Sequence, residues 1–204
     1  MSPPNQLTLL RVLLTPLFVV LLFSDSPLQR EIGFGVYVIA AITDWYDGYV
    51  ARRWGYITRW GKFFDPLADK VLTSAAFVSF AVLGYMEWWM MWIIVARDFI
   101  ITSLRSYAEF RNKPIDTSMF AKTKTLLQLV VIYVVLIVYI VRTDARLYER
   151  FGTLIDSVGS PLVIYCAMLC VTLLTAWTGL MYFVNNRTTL KEIFSSNGSI
   201  PDPE

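Results

Sequence analysis

Six apolar runs, each near the length a helix needs to cross a bilayer, divide the sequence: Leu7–Phe23, Ile32–Val50, Pro66–Tyr85, Trp88–Tyr107, Leu126–Val141 and Pro161–Val184. A hydrocarbon core of about 30 Å takes about 20 helical residues, and backbone inside it must satisfy its own hydrogen bonds. The runs predict an all-α integral membrane protein with six transmembrane helices, preceded by a short N-terminal interfacial segment. Hydrophobic residues make up 56% of the 204 and charged ones 17%, more apolar than a soluble core requires. Neither a domain boundary nor a repeat interrupts the pattern, so residues 1–194 read as one transmembrane domain and Ser195–Glu204 as a disordered polar tail. No small-residue cleavage site follows the first run, which speaks against a removable signal peptide.

The loops set the orientation. Arg52, Arg53, Arg59 and Lys62 join the second run to the third with no acid between them; Arg111, Lys113, Lys122 and Lys124 join the fourth to the fifth against Glu109 and Asp116. On the other side, Asp25, Arg30 and Glu31, then Glu87, then the mixed Arg142–Asp156 segment carry no basic excess. The positive-inside rule therefore puts both termini in the cytoplasm, and an even number of spans agrees with it. Trp88, Trp89 and Trp92 fall where an outer aromatic belt belongs. Asn186-Arg-Thr and Asn197-Gly-Ser match the glycosylation pattern, but this topology makes both cytoplasmic.

Composition narrows the chemistry. There is no histidine, which excludes Ser-His triads, imidazole zinc sites and phosphohistidine intermediates. A net charge of +2 makes no case for nucleic acid. Cys166 and Cys170 lie in an apolar run without other metal-type residues nearby, and read as packing residues rather than a disulfide or metal pair.

The carboxylates are the exception to this apolar plan. Asp44, Asp47, Gly48, Ala51, Arg52, Gly61, Asp65 and Asp69 are spaced D-x2-D-G-x2-A-R-x8-G-x3-D-x3-D, in or beside the second and third runs. An ionised side chain at the bilayer centre costs about 2.5–3.5 kcal/mol even on mild insertion scales, so four together call for bound cations in a polar cavity. On a helix, Asp44, Asp47, Gly48 and Ala51 share one face at i, i+3, i+4 and i+7, and Gly61, Asp65 and Asp69 share another at i, i+4 and i+8. The second run travels inward and the third outward, so the faces can meet near the cytoplasmic end. Oxygen-only ligands suit one or two Mg²⁺ or Mn²⁺ ions, small residues let a ligand approach the backbone, and Arg52 offers a fixed charge to phosphate. A proton or ion transporter also places acids inside a membrane, and remains a rival. Structural pairing with Arg52, Arg53, Arg59, Arg97 and Lys70 would balance charge but leaves the all-Asp choice and the glycines unexplained.

The eight-residue pattern resembles the motif of the CDP-alcohol phosphotransferases at every defined position, and the likeness extends to the six-helix plan, weakening over Arg142–Gly159 and the tail. Members of that family transfer a phosphatidyl group from a CDP-activated lipid to an alcohol, release CMP, use divalent metal and generally form homodimers. The resemblance implies metal binding by Asp44, Asp47, Asp65 and Asp69, with Asp69 also the general base, and two Mg²⁺ or Mn²⁺ ions per site. It implies a CDP-lipid pocket from Gly48, Ala51, Arg52 and Gly61, joined by Asn5, Thr8 and Arg11, which resemble an N-x2-T-x2-R element where the first span begins. Helix capping by Asn5 or Thr8 and an interfacial Arg11 would account for that last group without a nucleotide.

Acceptor choice falls to other polar groups. Arg97, Asp98 and Arg105 lie in the fourth run, and Lys122, Lys124 and Gln128 enter the fifth. Arginine and lysine in a partly desolvated site suit a phosphorylated acceptor, whereas an uncharged alcohol needs no such group. The strings Arg97-Asp98-x6-Arg105 and Lys122-Thr-Lys124-Thr-x2-Gln128 resemble those of phosphatidylglycerophosphate synthases within the family, whose donor is CDP-diacylglycerol and whose acceptor is sn-glycerol 3-phosphate. Arg97, Arg105, Lys122 and Lys124 are thus the candidate acceptor-phosphate ligands, and a bacterial inner membrane the expected location. Phosphatidylglycerol, inositol phosphate and serine stay open as acceptors, and Lys122 and Lys124 could serve only as interfacial lysines.

Overall fold

The computed structural model describes the backbone of residues 3–54, 59–110 and 119–195, and the side chains of residues 9–43, 66–68, 70–110 and 122–191. Among the described residues the chain is helical, without strands: α1 (Pro3–Leu22), α2 (Pro27–Trp54), α3 (Arg59–Val82), α4 (Trp88–Phe110), α5 (Met119–Thr143), α6 (Ala145–Val158), α7 (Pro161–Asn185) and α8 (Arg187–Ser195). The six apolar runs fall on α1, α2, α3, α4, α5 and α7. Within α5 and α7, Lys122–Thr143 and Pro161–Asn185 are long and apolar enough to cross a membrane by length and composition, and α1 adds a shorter apolar stretch, Leu9–Leu22. Cys166 and Cys170 are free and exposed on α7.

Three features differ from the sequence reading. The N-terminal segment expected to lie apart is continuous with α1, which runs unbroken from Pro3 through Pro16 to Leu22. α3 begins at Arg59 rather than Pro66 and ends at Val82 in a tight stop. There Gly84 takes φ +78°, Gly84 N–H donates to the Ala81 carbonyl and Tyr85 N–H to the Phe80 carbonyl, the paired bonds of a Schellman turn. Third, the mixed Arg142–Asp156 segment contains a helix, α6.

α6 is too short to span. Leu147, Phe151, Leu154, Ile155 and Val158 recur at helical spacing, with charged residues between them. Gly152 and Ile155 are buried toward the bundle, while Phe151, Leu154 and Val158 are exposed. Tethered between two apolar helices, such a helix suits the membrane interface. Its start is fixed by Asp144, whose carboxylate accepts from Arg146 N–H at 2.8 Å, Leu147 N–H at 3.4 Å and Arg146 Nη2 at 3.0 Å.

Helix register positions the rest. Phe18 stacks on Tyr37 with ring centroids 5.0 Å apart, and a Cβ at Gly33 would lie 3.0 Å from Leu21 and 3.3 Å from Leu22. α1 and α2 are therefore antiparallel and nearly touching, and any side chain at position 33 would press on α1 by a few tenths of an ångström. α4 and α7 run parallel: Arg97 meets Thr178, and further along both helices Ala108 meets Leu190 in α8, the continuation of α7. A core of Phe18, Tyr37, Phe77, Phe80, Met90 and Ile132 lies between the helices.

The Arg146 guanidinium, with the Arg146 and Leu147 amides, holds the Asp144 carboxyl down to about 2. The folded value lies below the ordinary aspartate value near 3.9, so the cap stabilises fully above about pH 4 and is lost as pH falls toward 2. Melting of detergent-solubilised Asp144→Ala should fall below wild type by a constant gap from neutral pH down to about 4, narrowing below it. A gap that widens in acid would contradict this reading.

Candidate active site

The motif aspartates sit where α2 ends and α3 begins. Asp44, Asp47, Gly48, Ala51 and Arg52 fall within α2, and Gly61, Asp65 and Asp69 within α3. Their side chains, with those of Asn5 and Thr8, lie outside the described residues, as do all atoms of Arg111 and Lys113. The helical backbone through both segments keeps the i, i+3, i+4, i+7 and i, i+4, i+8 spacings on helix faces. Four carboxylates on two such faces are a donor set suited to hard divalent cations.

Register brings α1 to the same end. The pairings Phe18–Tyr37 and Leu22–Gly33, extended one way along α2 and the other along α1, set Arg11 level with Asp44. Arg11 is only 2% exposed. Arg11 is thus buried within the helices rather than reaching out to water as an interfacial arginine would.

The described side chains assemble a second polar centre around Asp98 of α4. Its Oδ1 accepts from Arg97 Nη1 at 3.1 Å and from Lys124 Nζ of α5; its Oδ2 accepts from Gln128 Nε2 at 3.3 Å and faces Lys70 Nζ of α3 at 3.8 Å. Arg97 Nη2 donates in turn to Thr178 Oγ1 of α7 at 2.9 Å. Side-chain exposure is 4% for Asp98, 2% for Lys124, 15% for Lys70 and 16% for Arg97. Among the described residues, three cations from three helices converge on one carboxylate, a buried cluster of donors of the kind that can hold an anion. Lys70 directly follows Asp69 on α3, so this centre lies at the level of the last motif aspartate.

Of the four residues expected to hold an acceptor phosphate, Arg97 and Lys124 are brought together, while Arg105 and Lys122 are exposed outside the cluster. Sequence reasoning missed Thr178 and treated Lys70 only as a partner for the motif aspartates. The signal for α7 was present: Thr172, Thr175, Thr178 and Gly179 recur at helical spacing inside an otherwise apolar helix, and all four are buried.

Comparison with known proteins identifies the family. The profile of the CDP-alcohol phosphatidyltransferase family matches residues 1–148. A Salmonella typhimurium protein named CDP-diacylglycerol--glycerol-3-phosphate 3-phosphatidyltransferase is 41% identical over 132 residues, covering 62% of this chain and 72% of that protein. Proteins of the same name from Bacillus subtilis and Rickettsia typhi are 33% identical over 146 residues (66% and 76% of the two chains) and 34% over 126 residues (62% and 71%). Most of α6, and all of α7 and α8, lie beyond the family match.

Removing the hub of a buried charge network strands its partners. Asp98→Asn should destabilise the detergent-solubilised protein by about 3–5 kcal/mol. Lys124→Met should cost less, because Asp98 keeps Arg97, Lys70 and Gln128. Equal losses in thermal unfolding would contradict a network centred on Asp98.

Proposed function

The chain belongs to the CDP-alcohol phosphatidyltransferase family, and on that premise we propose that it transfers the phosphatidyl group of CDP-diacylglycerol to sn-glycerol 3-phosphate, giving phosphatidylglycerophosphate and CMP. It is a transferase of phospholipid biosynthesis in a membrane-protein family. The observation that carries the choice of acceptor is the buried centre of Arg97, Lys124 and Lys70 on Asp98. Such charge suits a dianionic phosphate and would be wasted on serine or another acceptor without one. The Salmonella, Bacillus and Rickettsia proteins, named for glycerol 3-phosphate, support the same acceptor.

The mechanism assigns each group a task. Asp44, Asp47, Asp65 and Asp69 would hold divalent cations, two Mg²⁺ or Mn²⁺ ions in our reading, which when bound neutralise charge on the pyrophosphate. Asn5, Thr8, Arg11, Gly48, Ala51, Arg52 and Gly61 form the CDP-lipid pocket. Arg97 and Lys124 hold the acceptor's phosphate, and Asp98 fixes both without neutralising them. Asp69 takes the proton from the acceptor hydroxyl, whose oxygen attacks the lipid-side phosphorus. The bond to the cytidylyl phosphate breaks, and CMP leaves with its electron pair.

Six spans, with both termini and the Asp-rich end facing the cytoplasm of a bacterial inner membrane, complete the proposal, and the basic loops support that orientation. A homodimer is carried over from the family. An ion transporter is a weaker reading, because it gives no role to a cationic centre.

Asp69→Asn, in folded and membrane-inserted protein, should retain CDP-diacylglycerol binding and lose CMP release by about a hundredfold or more. Turnover at the wild-type rate would remove Asp69 from the base role.

A further inference from the structure

Arg97 is held by α7 as closely as by its own helix. Its Nη2 donates to Thr178 Oγ1 at 2.9 Å, while Nη1 donates to Asp98 Oδ1 at 3.1 Å. The Thr178 hydroxyl spends its proton on the Leu174 carbonyl, 2.8 Å away, so toward Arg97 it acts as acceptor. Directly beside it, a Cβ on Gly179 would fall 3.0 Å from Arg97 Cγ and 3.5 Å from Nε. The aliphatic stem of Arg97 therefore lies in the space that glycine leaves open, against the α7 backbone. Thr178 is 6% exposed and Gly179 is buried.

We propose that Thr178 and Gly179 of α7 are positioning residues that fix the Arg97 guanidinium for the acceptor phosphate, Gly179 by admitting the stem and Thr178 by anchoring one end of the fork. The proposal rests on the reading of Arg97 as an acceptor-phosphate ligand. An unrestrained arginine has several rotatable bonds, and freezing them on binding weakens affinity. Here the fork is already restrained at both terminal nitrogens. Asp98 alone cannot do this, because it is adjacent in sequence and shares its carboxylate with Lys124, Gln128 and Lys70. α7 lies beyond residues 1–148, so the arrangement adds to the family-matched part of the site a specificity element from outside it.

The test is steady-state CMP release by full-length protein in mixed micelles, with KM for glycerol 3-phosphate and for CDP-diacylglycerol measured separately. Thr178→Val keeps the shape and removes the acceptor oxygen; Thr178→Ser keeps the oxygen. Thr178→Val should raise KM for glycerol 3-phosphate about tenfold with KM for CDP-diacylglycerol unchanged, the size expected for one lost hydrogen bond to a charged group, and Thr178→Ser should restore it. Gly179→Ala should raise the same KM although alanine favours helix over glycine, so that acceptor binding falls without a fall in melting temperature. An equal rise in both KM values, or a loss tracking reduced melting temperature, would overturn the proposal in favour of simple packing. Arg97→Gln serves as control. If it raises KM for glycerol 3-phosphate while Thr178→Val and Gly179→Ala do not, the positioning role fails and the acceptor reading stands; if Arg97→Gln leaves that KM unchanged, both fail.

Discussion

A cation among apolar helices persists only where something holds its charge, and Asp98 does so for three of them. Desolvating an ion costs several kcal/mol, and a partner recovers this only with good geometry and with its remaining lone pairs satisfied. Both carboxylate oxygens of Asp98 are used, by Arg97 and Lys124 on one and by Gln128 and Lys70 on the other. Because these partners come from α3, α4 and α5, and Arg97 reaches on to α7, the network ties four helices together. Among the described side chains, one carboxylate restrains three cations, and that gathering of positive groups is what would make the centre useful to an anion.

Close helix approach serves that centre. Gly33 lets α1 lie against α2, in a register that puts the buried Arg11 at the helical level of residue 44. Gly179 lets the Arg97 stem lie against α7. In a membrane, where lipid is as apolar as leucine, small residues at helix crossings and polar contacts across them do much of the work that burial does in water. The same residues that let these helices approach therefore place the charged groups. Chemistry and packing coincide along α1–α2 and α4–α7, and the apolar remainder of each helix is free to face lipid or core.

Much of this was legible in the sequence. Run length gave the six long helices, and the Asp motif gave the family, because eight fixed positions on two helix faces form a pattern that packing alone does not generate. Arg97 was legible as a charge too costly to lie idle in an apolar run, and Lys124 as a basic residue entering the fifth run. Thr178 and Gly179 left a weaker signal, a polar and small face on α7, which becomes informative only once a partner helix is known. Arg105 and Lys122 are exposed outside the Asp98 cluster, since charge and spacing place a residue on a helix but do not decide which way it turns. α6 was missed because a span-length search passes over a 14-residue helix whose apolar residues cover only one side.

The most direct measurement is CMP release from CDP-diacylglycerol with glycerol 3-phosphate or with glycerol as the sole acceptor, at matched concentrations and with Mg²⁺ present. If the buried cations hold a phosphate, glycerol 3-phosphate drives turnover and glycerol gives little above the acceptor-free background. Comparable release from both acceptors would contradict a phosphate site at Arg97 and Lys124.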